Sequence, residues 1–166
     1  YGGPNFGSVV LNLLKSVESE IKLNGIGPAG GRLEYLLTDN VGLGVDFIYN
    51  SIAGEYSETD STGTIYSYTA GMNRTRIHLR FNYHLTSSSE NLDLYLGVGA
   101  GTNSRILYYK SDQPGYDPTY ELPVTLIPVS MRFAFGIRYY FIENLGLNAE
   151  IGIGGPIVSA GLSVKF

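Results

Sequence analysis

Apolar residues alternate with polar or small residues along most of this chain, with a period of two. In the segment 41–50, for example, Val41, Leu43, Val45, Phe47 and Tyr49 alternate with glycine, aspartate and asparagine. This pattern is typical of a β-strand with one apolar face. Eight segments carry it and are predicted as strands: 9–15, 27–37, 41–50, 76–85, 92–101, 127–139, 145–153 and 157–166.

The first of these segments also fits a second interpretation. Val9, Leu13, Val17 and Ile21 recur every four residues, which is the spacing of an amphipathic helix. A helix at this position would leave seven predicted strands and would put closure of a barrel in doubt.

The connections between predicted strands are alternately short and long. Tight turns are predicted at 38–40, 87–91 and 143–144, and Gly154–Pro156 turns the chain into the last strand. The polar segments 54–71 and 110–122 are predicted as long mobile loops, without protruding strands. An even number of strands joined in this way is typical of outer-membrane barrels, whose termini both lie in the periplasm. We therefore predict one all-β domain over 1–166, an eight-stranded antiparallel up-and-down transmembrane β-barrel.

The composition agrees with a strand-rich protein. Tyrosine (14), phenylalanine (7) and glycine (22) are abundant and cysteine is absent, so disulfides and thiolate metal sites are excluded. The mean hydropathy is +0.02, and no apolar run approaches the roughly 20 residues of a membrane helix. The net charge of -4 shows no basic footprint for nucleic acid. No leader precedes Tyr1, so we expect that any export signal has been removed or left out.

If the apolar faces contact lipid, the opposite faces line a narrow lumen. The charged residues expected there are Arg32, Glu34, Asp46, Arg76, Arg80, Asp93, Arg132, Arg138 and Glu150. Inward glycines at 42, 44, 97, 99, 101, 146 and 152 are expected to make room for the arginines. About eight strands enclose only enough space for side chains, and buried charges must pair. The prediction is a plugged lumen; the alternative, a conducting pore, needs a wider barrel.

Candidate chemistry is sparse, and no catalytic residue, cofactor or metal site is predicted. His78 and His84 fall on the inward face among arginines, where they are expected to fill space. Two alternatives stay open. A lipid-modifying enzyme would need a serine, a histidine and an acid at the outer rim, and a soluble lipocalin-like binder would turn its apolar residues toward a cavity.

The segment Ile157–Phe166 carries a resemblance to a known family. Ala160, Leu162, Val164 and Phe166 form an alternating apolar series that ends on an aromatic residue. With the units 33–44 and 139–147, this ending resembles the small OmpX/OmpA-type outer-membrane barrels, including barrel-domain proteins of Bacteroidetes-like bacteria. The resemblance implies a bacterial outer-membrane location and recognition of the last strand by the barrel-assembly machinery.

The partners expected from this interpretation are membrane lipid and lipopolysaccharide. A protein partner would bind through 54–71 and 110–122, and the chain would have a structural or interaction role, or act beside a larger membrane complex.

Overall fold

The computed structural model describes residues 22–85, 89–115 and 119–166, and these residues form one antiparallel β-sheet. The all-β class is confirmed. Nine strands are present in this part of the chain: β1 (Lys22–Thr38), β2 (Val41–Thr59), β3 (Ile65–Leu85), β4 (Leu92–Thr102), β5 (Ser104–Ser111), β6 (Thr119–Pro123), β7 (Val129–Ile142), β8 (Leu145–Ile153) and β9 (Val158–Val164). None of the residues described is in a helix that could cross a membrane.

The strands follow one another in the sheet in chain order, with one branch. The main path is β1-β2-β3-β4-β7-β8-β9, whereas β5 pairs with the outer part of β3 and β6 pairs with β5. β4 and β5 both lie along β3 and are separated only by Asn103. The nine strands therefore make seven passes of the chain, with β4–β5 and β6–β7 each counting as one. The predicted strand 9–15 and its helical alternative lie outside the described residues.

The sheet is curled into a half-barrel. Arg32 on β1 and Glu150 on β8 form an ion pair of 2.6 Å, although four strands separate β1 from β8 in the sheet order. Five spacings of a flat sheet would hold them roughly 24 Å apart. Only strong curvature of the sheet brings these side chains together on its concave face.

The short turns lie at one end of the sheet. β1 ends at Thr38 and β2 begins at Val41, and Glu143 and Asn144 alone separate β7 from β8, as predicted. At the opposite end, Gly154 leaves β8 with a φ of 84°, a conformation that favours glycine. The predicted turn at 87–91 lies partly outside the described residues.

The prediction of long loops is wrong for 54–71, which is mostly strand, and wrong at both ends of 110–122. β2 continues to Thr59 and β3 begins at Ile65, so only 60–64 forms the connection between them. β5 and β6 also enter the second segment, over 110–111 and 119–122. The physical reason is local side-chain pairing: Tyr56 and Tyr68 lie opposite each other and stack with ring centroids 5.2 Å apart. The prediction that protruding strands are absent is therefore also wrong.

Asp60 organises the tight connection between β2 and β3. Its carboxylate accepts hydrogen bonds from the Thr62 hydroxyl (2.6 Å), the Thr62 amide (2.7 Å) and the Thr64 amide (3.2 Å). The Thr62 hydroxyl and the backbone amides lower the pKa of Asp60. Because the folded-state pKa is lowered, the ionised carboxylate stabilises the turn at any pH above the ordinary pKa of aspartate. This stabilisation is lost as the pH falls below about 4.

We expect Asp60→Ala to loosen this turn without unfolding the sheet. The protection of the Thr62 and Thr64 amides from hydrogen exchange, relative to the intrinsic rate at the same pH, should fall in the variant, and in the unchanged protein below about pH 4. The global free energy of unfolding should change little, because Asp60 lies in the connection at the tip of β2 and β3. Ser61→Ala in the same turn is the matched control; equal exchange rates in both variants would contradict the role of the carboxylate.

Candidate functional site: ionic clusters on the concave face

Polar and charged residues outnumber apolar ones at the buried positions of this sheet. The buried polar residues described are Asp46, Asn50, Arg76, His78, Arg80, Asn82, His84, Asn103, Ser111, Arg132, Glu150 and Ser159. The buried apolar ones described are Ile48, Ala53, Tyr95 and Ala134. This distribution is the reverse of that in a water-soluble domain.

Glu150 is the centre of the first cluster, which we call the central cluster. Its two oxygens accept hydrogen bonds from Arg32 (2.6 Å), Arg80 (2.5 Å), Arg132 (2.8 Å) and the hydroxyl of Tyr95 (2.9 Å). These residues come from β1, β3, β7, β4 and β8, so one carboxylate joins five strands.

Asp46 on β2 completes the central cluster. It pairs with Arg32 Nε at 2.6 Å and with Arg80 Nη1 at 3.1 Å, and its side chain is fully buried. Two carboxylates thus face three guanidinium groups, so the buried cluster carries one more positive than negative charge. Removing either partner of such a buried ion pair is strongly destabilising, because the other charge is left uncompensated.

A second cluster lies nearer the short turns and contains Glu34, His84, Asp93 and Arg138. His84 Nε2 is 2.9 Å from Glu34, and Nδ1 is 2.6 Å from Asp93. Both ring nitrogens can donate only in the imidazolium form. Arg138 pairs with Asp93 at 3.2 Å and also with Glu34. Two cations and two carboxylates then balance, and we call this group the turn-side cluster.

Tyr95 separates the two clusters and contacts both. Its ring lies 4.3 Å from the Arg138 guanidinium and 5.7 Å and 5.8 Å from those of Arg32 and Arg80, within the range of cation–π contacts. A Cβ atom at Gly136, on the neighbouring strand, would collide with this ring. The glycine therefore makes the space that the tyrosine occupies.

The inward glycines have two different roles, which corrects the sequence-based expectation. At Gly97 a Cβ would meet the Arg80 guanidinium, and at Gly42 it would meet the Glu34 carboxylate, so these glycines make room for charged groups. At four others the nearest atom is backbone of an adjacent strand: Gly44, Gly101, Gly146 and Gly152. Close approach of neighbouring strands, and not space for arginine, explains those four. A Cβ atom at Gly99 would meet His78 and Leu79 only at ordinary contact distance, so neither role applies there.

The structure places the sequence-predicted residues in three groups. Arg32, Asp46, Arg80, Arg132 and Glu150 form the central cluster, and Glu34, Asp93 and Arg138 form the turn-side cluster with His84. Arg76 lies at the opposite end, where it donates to the carbonyl oxygen of Gly154.

Sequence analysis did not assign Tyr95, Asn82 or His84 to the charge network. The period-two alternation of β3 and β4 was the available signal, because it places all three on the inward face.

A serine and a histidine also meet on the concave face. His78 Nε2 lies 2.5 Å from Ser130 Oγ, the relation expected of a nucleophile and its base. However, Ser130 Oγ donates to the carbonyl oxygen of Thr102, and Nδ1 of His78 is buried without a hydrogen-bond partner, so no third group in the described part of the chain orients the ring. This pair therefore lacks the arrangement of a hydrolytic triad. No group of three acidic, cysteine or histidine residues among those described could hold a metal.

Ala160 and Leu162 on β9 lie on the outer face, followed by the exposed Val164 and Phe166. Comparison of the chain with family models, with curated proteins and with solved structures finds no match.

Proposed function

We propose that the chain is an integral outer-membrane protein, a closed eight-stranded barrel whose lumen is plugged by the two ionic clusters. One further strand between β1 and β9 would close the seven described passes into a barrel, and the sequence predicts such a strand at 9–15. Closure is required in lipid because every unpaired backbone group in hydrocarbon costs several kcal/mol. The short turns then face the periplasm, with both termini, and the longer strands extend outside the cell.

The exposure of large apolar residues on the convex face carries this proposal. Phe133, Leu147 and Leu162 are 45, 55 and 69% exposed, and similar residues continue around the outer faces of β2, β3 and β4. A soluble protein rarely exposes a contiguous apolar surface of this extent. The alternation also has the polarity of a membrane barrel, apolar outside and ionic inside. A lipocalin-like interior would instead be apolar.

The apolar band has the dimensions that a bilayer requires. A membrane strand needs about 9–11 residues. On β2 the outward apolar positions run from Val41 to Tyr49, and on β3 from Leu85 to Ile77. Beyond this level the outward residues become polar, as at Ser51, and the strands continue into water.

If the lumen is plugged, the strands that extend beyond the apolar band are the part of the barrel that can bind other molecules. We therefore assign a structural or interaction role, in which the extended strands within 54–71 and 110–122 contact a protein partner or a larger membrane complex. Membrane lipid and lipopolysaccharide surround the band, and the barrel-assembly machinery inserts the protein.

Tryptophan fluorescence tests the location of the band without interference, because the chain contains no tryptophan. We expect Phe81→Trp and Phe135→Trp, both outward in the band, to be strongly quenched in bilayers brominated in the middle of the acyl chains. Ile65→Trp, at the tip of β3, is the matched control and should stay bright. Folded protein should also migrate differently from boiled protein in gel electrophoresis.

Equal quenching at all three positions, or purification of the protein from the soluble fraction without detergent, would contradict the membrane proposal. A conductance step in planar bilayers would contradict the plugged lumen alone.

A further inference from the structure

Four strands continue beyond the apolar band and form a separate surface, which we call the outer extension. It consists of residues 50–59, 65–75, 104–111 and 119–123 on β2, β3, β5 and β6. The register is continuous across all four strands, so rows of side chains can be followed from one strand to the next.

One face of the outer extension carries an apolar groove. Ile52, Met72, Leu107 and Leu122 form one row across the four strands, and Ala70, Tyr109 and Tyr120 form the next. The groove that these residues line has a volume of about 490 Å³. Sites for small molecules typically have about 300–1,000 Å³ and a mostly apolar lining. The Tyr109 phenol is neutral at physiological pH, as an ordinary tyrosine is, and the hydrogen bond with Tyr56 raises its pKa further, to about 12.

Two arginines stand at the membrane end of the groove. Arg74 and Arg105 lie directly opposite each other on β3 and β5. Arg74 lies two positions from Met72 on β3, and Arg105 lies two positions from Leu107 on β5. Positions two apart on a strand face the same side, so the arginines share the face of the groove. Like charges directly opposite each other destabilise a sheet, so this pair is costly unless an anion lies between them.

The hydrogen bonding around the two arginines is incomplete. Arg105 Nε is shielded from solvent and has no hydrogen-bond partner, whereas Arg74 Nε donates to Asn103 at 2.8 Å. Neither arginine forms an ion pair with a described carboxylate. Asn50, in the same row and 4% exposed, has an Oδ1 atom without a partner. Rotation of its amide would present NH2 donors to the same place. Partial burial and the charge of Arg105 lower the pKa of Arg74, which is consistent with a missing counter-ion.

We propose that the groove binds a free fatty acid, with its acyl chain across the apolar rows and its carboxylate between Arg74 and Arg105. Charge complementarity selects an anion, and the planar guanidinium groups match the two oxygens of a carboxylate. The single continuous apolar groove above them selects one unbranched acyl chain. This site goes beyond the proposed structural role and lies outside the bilayer band.

Calorimetric titration with decanoate, decanol and butyrate tests the proposal on the full chain held in amphipol, with protein-free amphipol as the blank. Decanoate should bind at least about tenfold more tightly than decanol, which lacks the charge, because hydrogen bonds to charged groups are the stronger ones. Butyrate, which keeps the carboxylate and loses most of the chain, should bind at least about tenfold more weakly than decanoate. Equal affinity for decanoate and either of the other probes would overturn the proposal.

Variants separate the two halves of the site. Arg74→Gln with Arg105→Gln should abolish the preference for decanoate over decanol, while Leu107→Asp should weaken both long-chain probes. Lys110→Gln is the matched control, since it removes a cation from the opposite face of β5. An unchanged preference in the double arginine variant, with folding verified by circular dichroism, would overturn the assignment of the carboxylate site.

Failure of the fatty-acid site can be distinguished from failure of the membrane proposal. If the protein proves soluble, the same titration is performed in buffer without amphipol, and its outcome still decides the fatty-acid site.

Discussion

Glu150→Gln is expected to lower the free energy of unfolding by about 3–5 kcal/mol, the cost typical of breaking a buried ion pair by removal of one partner. The carboxylate is 4% exposed and accepts hydrogen bonds from three arginines and Tyr95. Glutamine keeps the shape but removes the charge, so three buried guanidinium groups would share Asp46 alone. Urea titration of protein refolded into lipid vesicles, followed by gel mobility and circular dichroism, measures the change.

Glu143→Gln is the matched control for this prediction, because Glu143 lies exposed in the turn between β7 and β8. Its effect should be within about 0.5 kcal/mol. Adding Arg132→Met to Glu150→Gln should recover part of the lost stability, since it removes one uncompensated cation. A loss for Glu150→Gln no greater than that of the control would mean that the central cluster does not stabilise the fold.

Ile151→Arg is expected to cost about 2–4 kcal/mol in a bilayer, the range measured for arginine on the lipid-facing side of membrane barrels near the midplane. Ile151 lies outward on β8, opposite Phe135 in the middle of the β7 band, and is 58% exposed. The same urea titration in vesicles measures the loss.

Ile65→Arg makes the identical exchange at the tip of β3, outside the band, and should be nearly neutral. A soluble protein would tolerate both exchanges equally well, because both side chains are exposed. Equal stabilities of the two variants would therefore contradict lipid contact at Ile151.

The strands within the apolar band were predictable because their signal is local. β8 has the bounds that alternation predicts, Leu145–Ile153, and the inward series on β3 from Arg76 to His84 is buried as expected. Each of these follows from the period-two geometry of a single strand.

The outer extension was not predictable in the same way. Serine, threonine and glycine in 54–71 are common in loops, and the sequence contains no signal for the register that places Tyr56 against Tyr68, or Tyr68 6.1 Å from Tyr109. Pairing with a neighbouring strand overrode the local composition. The groove and its two arginines were missed for the same reason, since Arg74 and Arg105 meet only through the pairing of β3 with β5.

By itself, the sequence determined the strand class, the positions of the short turns at 38–40 and 143–144, and the face of the sheet on which each residue of the apolar band lies. These properties follow from backbone geometry within a few residues. The tertiary structure decided which acid meets which base, that Tyr95 lies between two ionic clusters, and that Arg32 reaches Glu150 across four intervening strands. Such contacts depend on the curvature and register of the whole sheet, which arise from the joint packing of all its strands.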